Sequence, residues 1–206
     1  MKTKRPSKPA GRPRSFDTGK ALDRALGVFW RNGYEGASLS DLTKAMGINR
    51  PSLYAAFGAK EKLFHKVLDR YAKGPASFSY AALHEPTSRA VVERLLYGTA
   101  DMLTSSQNPH GCLWVQGALT CGNSADSARK ELISRRVAGE TALRQRLNRA
   151  RAEGDLPSDA NPASLARFIV TMIQGMSIQA AGGATRAELR RVIEIALQSW
   201  PSPRNA

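Results

Sequence analysis

The chain lacks most of what membrane crossing, metal binding or catalysis requires. No stretch of its 206 residues approaches the run of about 18 apolar residues that a membrane-spanning helix needs, and the most apolar segments, near 111–122 and 168–173, are too short. The basic start leads into polar, proline-rich sequence with no apolar stretch, so no signal peptide is read and a cytoplasmic location without a membrane partner is expected. Cysteine occurs twice, at Cys112 and Cys121, and in a reducing compartment both are expected as free thiols. The three histidines, His65, His84 and His110, are widely separated, so no Cys/His spacing suggests a zinc site and neither metal nor cofactor is expected. His110 and Cys112 lie two apart, a spacing that suggests a nucleophile with its base, but nothing near them in sequence supplies an orienting group or an oxyanion site. Glycine-rich phosphate loops are missing too, and an enzyme is not expected. Strand-like alternation is nowhere sustained, which leaves an all-α chain.

Acidic residues are the other shortage: 17 Asp and Glu stand against 31 Lys and Arg, a net charge of +14 and a sequence pI of about 10.4. Such an excess favours a polyanion, either nucleic acid or an acidic membrane surface. The charge is concentrated at the front, because residues 1–70 carry 15 basic and 6 acidic side chains and the remainder 16 and 11. Residues 1–14 alone hold six basic side chains, three prolines and no acid, a composition unable to bury apolar area, so a disordered basic arm is expected over 1–15. Its end, Gly11-Arg12-Pro13-Arg14, resembles the core of an AT-hook, in which Arg12 and Arg14 would lie along a narrow A·T minor groove; the alternative is a solubilising tail.

What the chain does have is concentrated in Ser38–Phe57, SLSDLTKAMGINRPSLYAAF. Ser38 and Asp41 have capping-box spacing, so a helix is expected to start there, with Leu39, Leu42 and Met46 on one face and Gly47 ending it. Asn49 caps a second helix, and Pro51 is tolerated because first-turn amides have no intrahelical partner to lose. Leu53 and Phe57 make its inner face, leaving Arg50, Ser52 and Ala55 outward. Two short helices across a glycine turn are the layout of a DNA-reading helix-turn-helix, although a buried helical hairpin has the same pattern.

The flanks bear on that choice. FDTGKALDRALGVFWRNGYEGAS upstream, with its Gly33-Tyr34, and LYAAFGAKEKLF downstream make Phe16–Phe64 resemble, without a gap, the N-terminal region of the TetR/AcrR family of one-component transcriptional repressors. Gly111-Cys112-Leu113 also resembles a short motif of one branch of that family. The resemblance implies an all-α protein with an N-terminal three-helix, helix-turn-helix DNA-binding domain and a C-terminal helical ligand-sensing and dimerisation domain. It implies a homodimer on a palindromic double-stranded DNA operator, released by an unidentified small-molecule effector or by thiol modification. Contacts to DNA are then expected from Arg12, Arg14, Ser38, Asn49, Arg50, Pro51, Ser52, Tyr54, Ala55 and Lys60, with Tyr54 and Lys60 on phosphates. A general architectural nucleic-acid binder, or a thiol-dependent enzyme using Cys112, are the rival classes.

Asp17 can cap the first helix, whose buried stripe Leu22, Ala25, Leu26 and Phe29 runs until Gly33; Tyr34 is either core or a phosphate donor. Lys60 opens a fourth helix at an anion-favouring N-terminus, but Ala59 stands where the family often has a capping side chain, weakening that start by about 1 kcal/mol. The helix should end at Lys73-Gly74-Pro75, which divides a DNA-binding domain, 16–73, from a C-terminal domain, 74–200, with a tail over 201–206. Further helices are expected over Ser88–Ser105, Leu113–Leu119 and Asp126–Glu153. Asn161-Pro162 opens one more, closed by Gly182-Gly183, and Thr185 with Glu188 forms a capping box for the last. Their apolar faces, with Phe168, Met172, Leu189, Ile193 and Leu197, are assigned to a dimer interface by the resemblance, or else are core. Cys112 would sit near a helix N-terminus that lowers its thiol pKa, with His110 assisting. A sensing thiol, a non-covalent ligand in a pocket including Trp114 and Met172, and a plain core cysteine are the alternatives there.

Overall fold

The computed structural model describes residues 16–117 and 125–202, so the arm with Arg12 and Arg14, and Cys121, lie outside the described residues. Among the described residues there are ten helices and no strand. The first four are α1 (Thr18–Gly36), α2 (Leu39–Met46), α3 (Arg50–Phe57) and α4 (Lys60–Lys73). Local chemistry places their ends. The Asp17 carboxylate accepts the Gly19 and Lys20 amides at 2.8 and 3.1 Å, and Ser38 and Asp41 complete a reciprocal box at the start of α2. Gly47 ends α2 at φ 68°, a left-handed conformation that costs glycine nothing, and Asn49 accepts the Ser52 amide at 2.9 Å to open α3. No side chain caps α4 at Ala59.

α1 does not stop at Gly33. It kinks there, at φ 69°, and continues for one more turn, because the Tyr34 amide turns to donate to the Gly117 carbonyl at 2.9 Å. The apolar sides of α1, α2, α3 and α4 close on Ala25, Phe29, Leu42, Leu53 and Phe64.

The second half comprises α5 (Ser77–Ala82), α6 (Ser88–Leu103), α7 (Leu113–Gln116), α8 (Asp126–Ala152), α9 (Pro162–Ala181) and α10 (Arg186–Gln198). α5 has no counterpart among the helices expected from the sequence: it is short, follows Gly74-Pro75 and has no capping side chain. α8 lies along α9, while α6 packs against α5, α9 and α10. α4 ends at Lys73, and the apolar core runs on past that point. Tyr71 of α4 is fully buried with its ring edge-on to Trp30 of α1 (4.8 Å) and to Trp114 of α7 (5.1 Å). No described helix is long and apolar enough to cross a membrane, and among the described residues no three His, Cys, Asp or Glu side chains group to hold a metal ion.

Candidate nucleic-acid interface and ligand cavity

In α3, Leu53 and Phe57 turn inward and are buried, and the helical period therefore carries Arg50, Pro51, Tyr54 and Ala55 to the solvent side. Ser52 is half-buried, so it contributes less to that face than its spacing suggested. Asn49 and Ser38 are exposed, but their side-chain oxygens are engaged as caps. Lys60, the first residue of α4, is half-buried with its ammonium 4.5 Å from the centre of the Tyr34 ring. Burial lowers its pKa, and Tyr34 in turn rests against Phe29 and Phe64, so Tyr34 belongs to the core and orients Lys60. Nothing in the motif spelled out this cation–ring contact, because its partners lie 26 positions apart in the sequence.

A second feature lies among α5, α6, α7, α8 and α9: a cavity of about 260 Å³ with walls from Leu95, Val115, Leu143, Val170 and Ile173, and with Cys112 and Trp114 on its α7 side. Met172 does not reach it. One helical step carries Met172 away from Ile173 to a separate groove between α9 and α10, alongside Met176, Leu189 and Val192, so the expected pairing of Trp114 with Met172 in one pocket is corrected. The residues of α8 that line the cavity, Arg135, Arg136 and Gly139 among them, are not legible in the sequence because no motif marks them.

Cys112 also differs from expectation. It is the residue before the four-residue α7, yet burial pushes its thiol pKa up, outweighing the hydrogen bond from Tyr71 and the amides of Val115 and Trp114. Tyr71 Oη donates to Cys112 Sγ at 3.3 Å, and the Cys112 amide donates to Ser177 Oγ at 2.9 Å; His110 stands exposed on the turn.

The expected dimer face needs revision as well. Leu189, Ile193 and Leu197 are buried inside the chain, because α10 lays them on α6, where Arg190 also pairs with Asp101. Phe168 does remain exposed, as do Ile178 on the same side of α9 and Val192 and Ile195 on the opposite side of α10.

Two short capped helices across a glycine turn, the second presenting Arg50 outward, joined to a helical body with an apolar cavity, define a helix-turn-helix regulator. Residues 21–67 match the family model of bacterial regulatory proteins, tetR family, and residues 90–196 match a tetracyclin repressor-like C-terminal domain. The HTH-type transcriptional repressor ComR of Escherichia coli (strain K12) is 37% identical over 196 residues, covering 94% of this chain and 93% of that protein. BdcR, a repressor of the same organism, is 30% identical over 193 residues, covering 92% and 91%. Among solved structures, a cysteine mutant of the TetR family regulator CifR, complexed with 26-bp double-strand operator DNA, superposes with a TM-score of 0.89. It is 43% identical, with 92% of this chain and all of that chain covered. The chain belongs to the TetR family of bacterial transcriptional regulators.

Proposed function

We propose that two copies of the chain pair through the exposed sides of α9 and α10 and act, without catalysis, as a repressor on a palindromic operator. Arg50, Pro51, Tyr54 and Ala55 of each α3 enter successive major grooves, about 34 Å apart, while Lys60 and the uncapped first turn of α4 hold phosphate. Asn49 and Ser38 act by fixing the ends of the two helices. Arg12 and Arg14 of the arm extend into the flanking minor groove. The named repressors and the operator complex among the relatives support a sequence-specific mode over architectural coating.

The ligand response rests on one observation: α7 and its flanks are at once a wall of the cavity and the anchor of the DNA-binding half. The Gly111 carbonyl accepts from Trp30 Nε1 at 2.9 Å, the Gly117 carbonyl accepts from the Tyr34 amide at 2.9 Å, and Trp114 meets Tyr71 edge-on. A molecule that shifts this segment shifts α1 and α4 with it and changes the separation of the two α3 helices. A second reading, modification of the Cys112 thiol, is favoured by its place on the cavity wall. Any adduct on Sγ must displace the hydroxyl of Tyr71, a residue of α4.

Footprinting on the DNA flanking the chain's own coding sequence tests the reading. Two protected half-sites one helical turn apart are expected, with random DNA of equal length bound far more weakly. Equal affinity for both DNAs would return the protein to the architectural class.

A further inference from the structure

The polar groups of the cavity are not evenly matched. Three charged side chains line it, and two of them are neutralised within the chain: Arg135 bonds Asp69 and Glu131, each at 2.7 Å, and Glu140 is held by Arg167 at 2.7 Å. Arg136 has no carboxylate among the described residues. Among the described residues its hydrogen bond runs from Nη1 to the Trp114 carbonyl at 2.6 Å, and most of the five guanidinium N–H donors find no acceptor there. Among the described residues the buried indole N–H of Trp114 has no acceptor and the Gln174 side chain makes no hydrogen bond. Cys112 does not supply the missing negative charge, because burial keeps its thiol protonated. The Ser79 hydroxyl donates to the Ala76 carbonyl at 2.7 Å, Tyr80 is largely exposed, and the rest of the lining is apolar.

We propose that this cavity takes a small apolar molecule bearing an anionic group, a carboxylate in the simplest case, and that Arg136 selects for the charge. The assignment rests on reading the cavity as the effector site. Arg136 and Trp114 offer only donors, so the group that satisfies them is an acceptor, and an unneutralised guanidinium beside apolar walls favours an acceptor with full negative charge. At about 260 Å³ the cavity lies just below the range of about 300–1,000 Å³ typical of drug-sized ligands, which restricts the apolar part to a single ring or a short chain. Arg136 is also the tie between α8 and α7 through the Trp114 carbonyl, so an anion that draws the guanidinium acts on the segment that anchors α1.

The full-length protein is titrated with two isosteric pairs, phenylacetate against phenylacetamide and hexanoate against hexanamide, by calorimetry and by tryptophan fluorescence. Wild type is expected to bind each carboxylate about tenfold more tightly than its amide, the scale of one added charge-assisted hydrogen bond. Arg136→Gln should erase that preference and Arg136→Lys should keep part of it. Gly139→Leu, at a cavity-lining position where an added Cβ meets nothing within 4 Å, should block all four probes. Equal binding of acid and amide by wild type overturns the proposal even if Arg136→Gln does not fold, and so does an unchanged preference in a folded Arg136→Gln. Amide binding that Gly139→Leu blocks, without preference for the acid, leaves the cavity as a ligand site and removes only the charge selection. Failure of every probe to bind removes both.

Discussion

Ile195→Glu should separate the dimer without unfolding the chain. In the single chain Phe168 is 43% exposed, Val192 48%, Ile178 54% and Ile195 68%, so about half of each side chain is still open to water. Complete burial of such a side chain contributes about 1.5–3 kcal/mol, and the exposed half therefore about 1 kcal/mol. Four on each protomer give about 8 kcal/mol across a two-fold pair, before the cost of association. The substitution removes two of those contributions and places two carboxylates in an apolar contact, where desolvation of each costs several kcal/mol. Even a combined loss of only about 5 kcal/mol raises the dimer dissociation constant by more than three powers of ten. Sedimentation equilibrium at micromolar concentration reads this directly, and operator binding should fall with it because one α3 alone contacts only a half-site. Ile193→Glu is the contrasting case. Ile193 is 0% exposed against α6, so a charge there should unfold the chain and says nothing about assembly. A folded Ile195→Glu or Val192→Glu that still dimerises as wild type would place the interface off this face.

The DNA face separates base reading from charge. Arg50→Ala should cost about 1–3 kcal/mol of operator affinity and relax preference at one position per half-site, whereas Lys60→Ala should weaken all sequences alike; gel shifts against a set of operator variants distinguish them. Deleting residues 1–14 should flatten the salt dependence of binding by about 0.9 in logarithmic slope for each phosphate that the arm neutralises, and an unchanged slope would make the arm a solubilising tail. For Cys112 the sign follows from burial. A thiol whose folded pKa is raised stabilises the fold fully below its unfolded pKa and progressively less as pH rises through the folded value, so Cys112→Ala should flatten urea midpoints on the alkaline side alone. Peroxide treatment of wild type, Cys112→Ser and Cys121→Ser, followed by operator release, tests the thiol switch. Release in all but Cys112→Ser supports it, and identical behaviour of the three leaves Cys112 as core.

Sequence by itself determined the capped helix starts and the helix-turn-helix. Asp17, Ser38 with Asp41, Asn49, Asn161 and Thr185 with Glu188 all cap as expected, because each cap is a hydrogen bond between residues two or three apart, and such a bond is written in local order. The outward placement of Arg50 and Ala55 followed from the same short-range periodicity. Tertiary structure decided whatever depended on a partner far along the chain. α10 carries apolar residues on two sides, and only the docking of α6 determines that Leu189 and Ile193 are spent inside while Val192 and Ile195 remain open. Helix position argued for an acidic Cys112 thiol, but the side chains that bury it come from other elements, and desolvation reversed the sign. Arg135 and Arg136 are indistinguishable neighbours in sequence. The fold brings Asp69 to Arg135 and no carboxylate among the described residues to Arg136, because charge pairing is a property of distances that the order of residues does not carry.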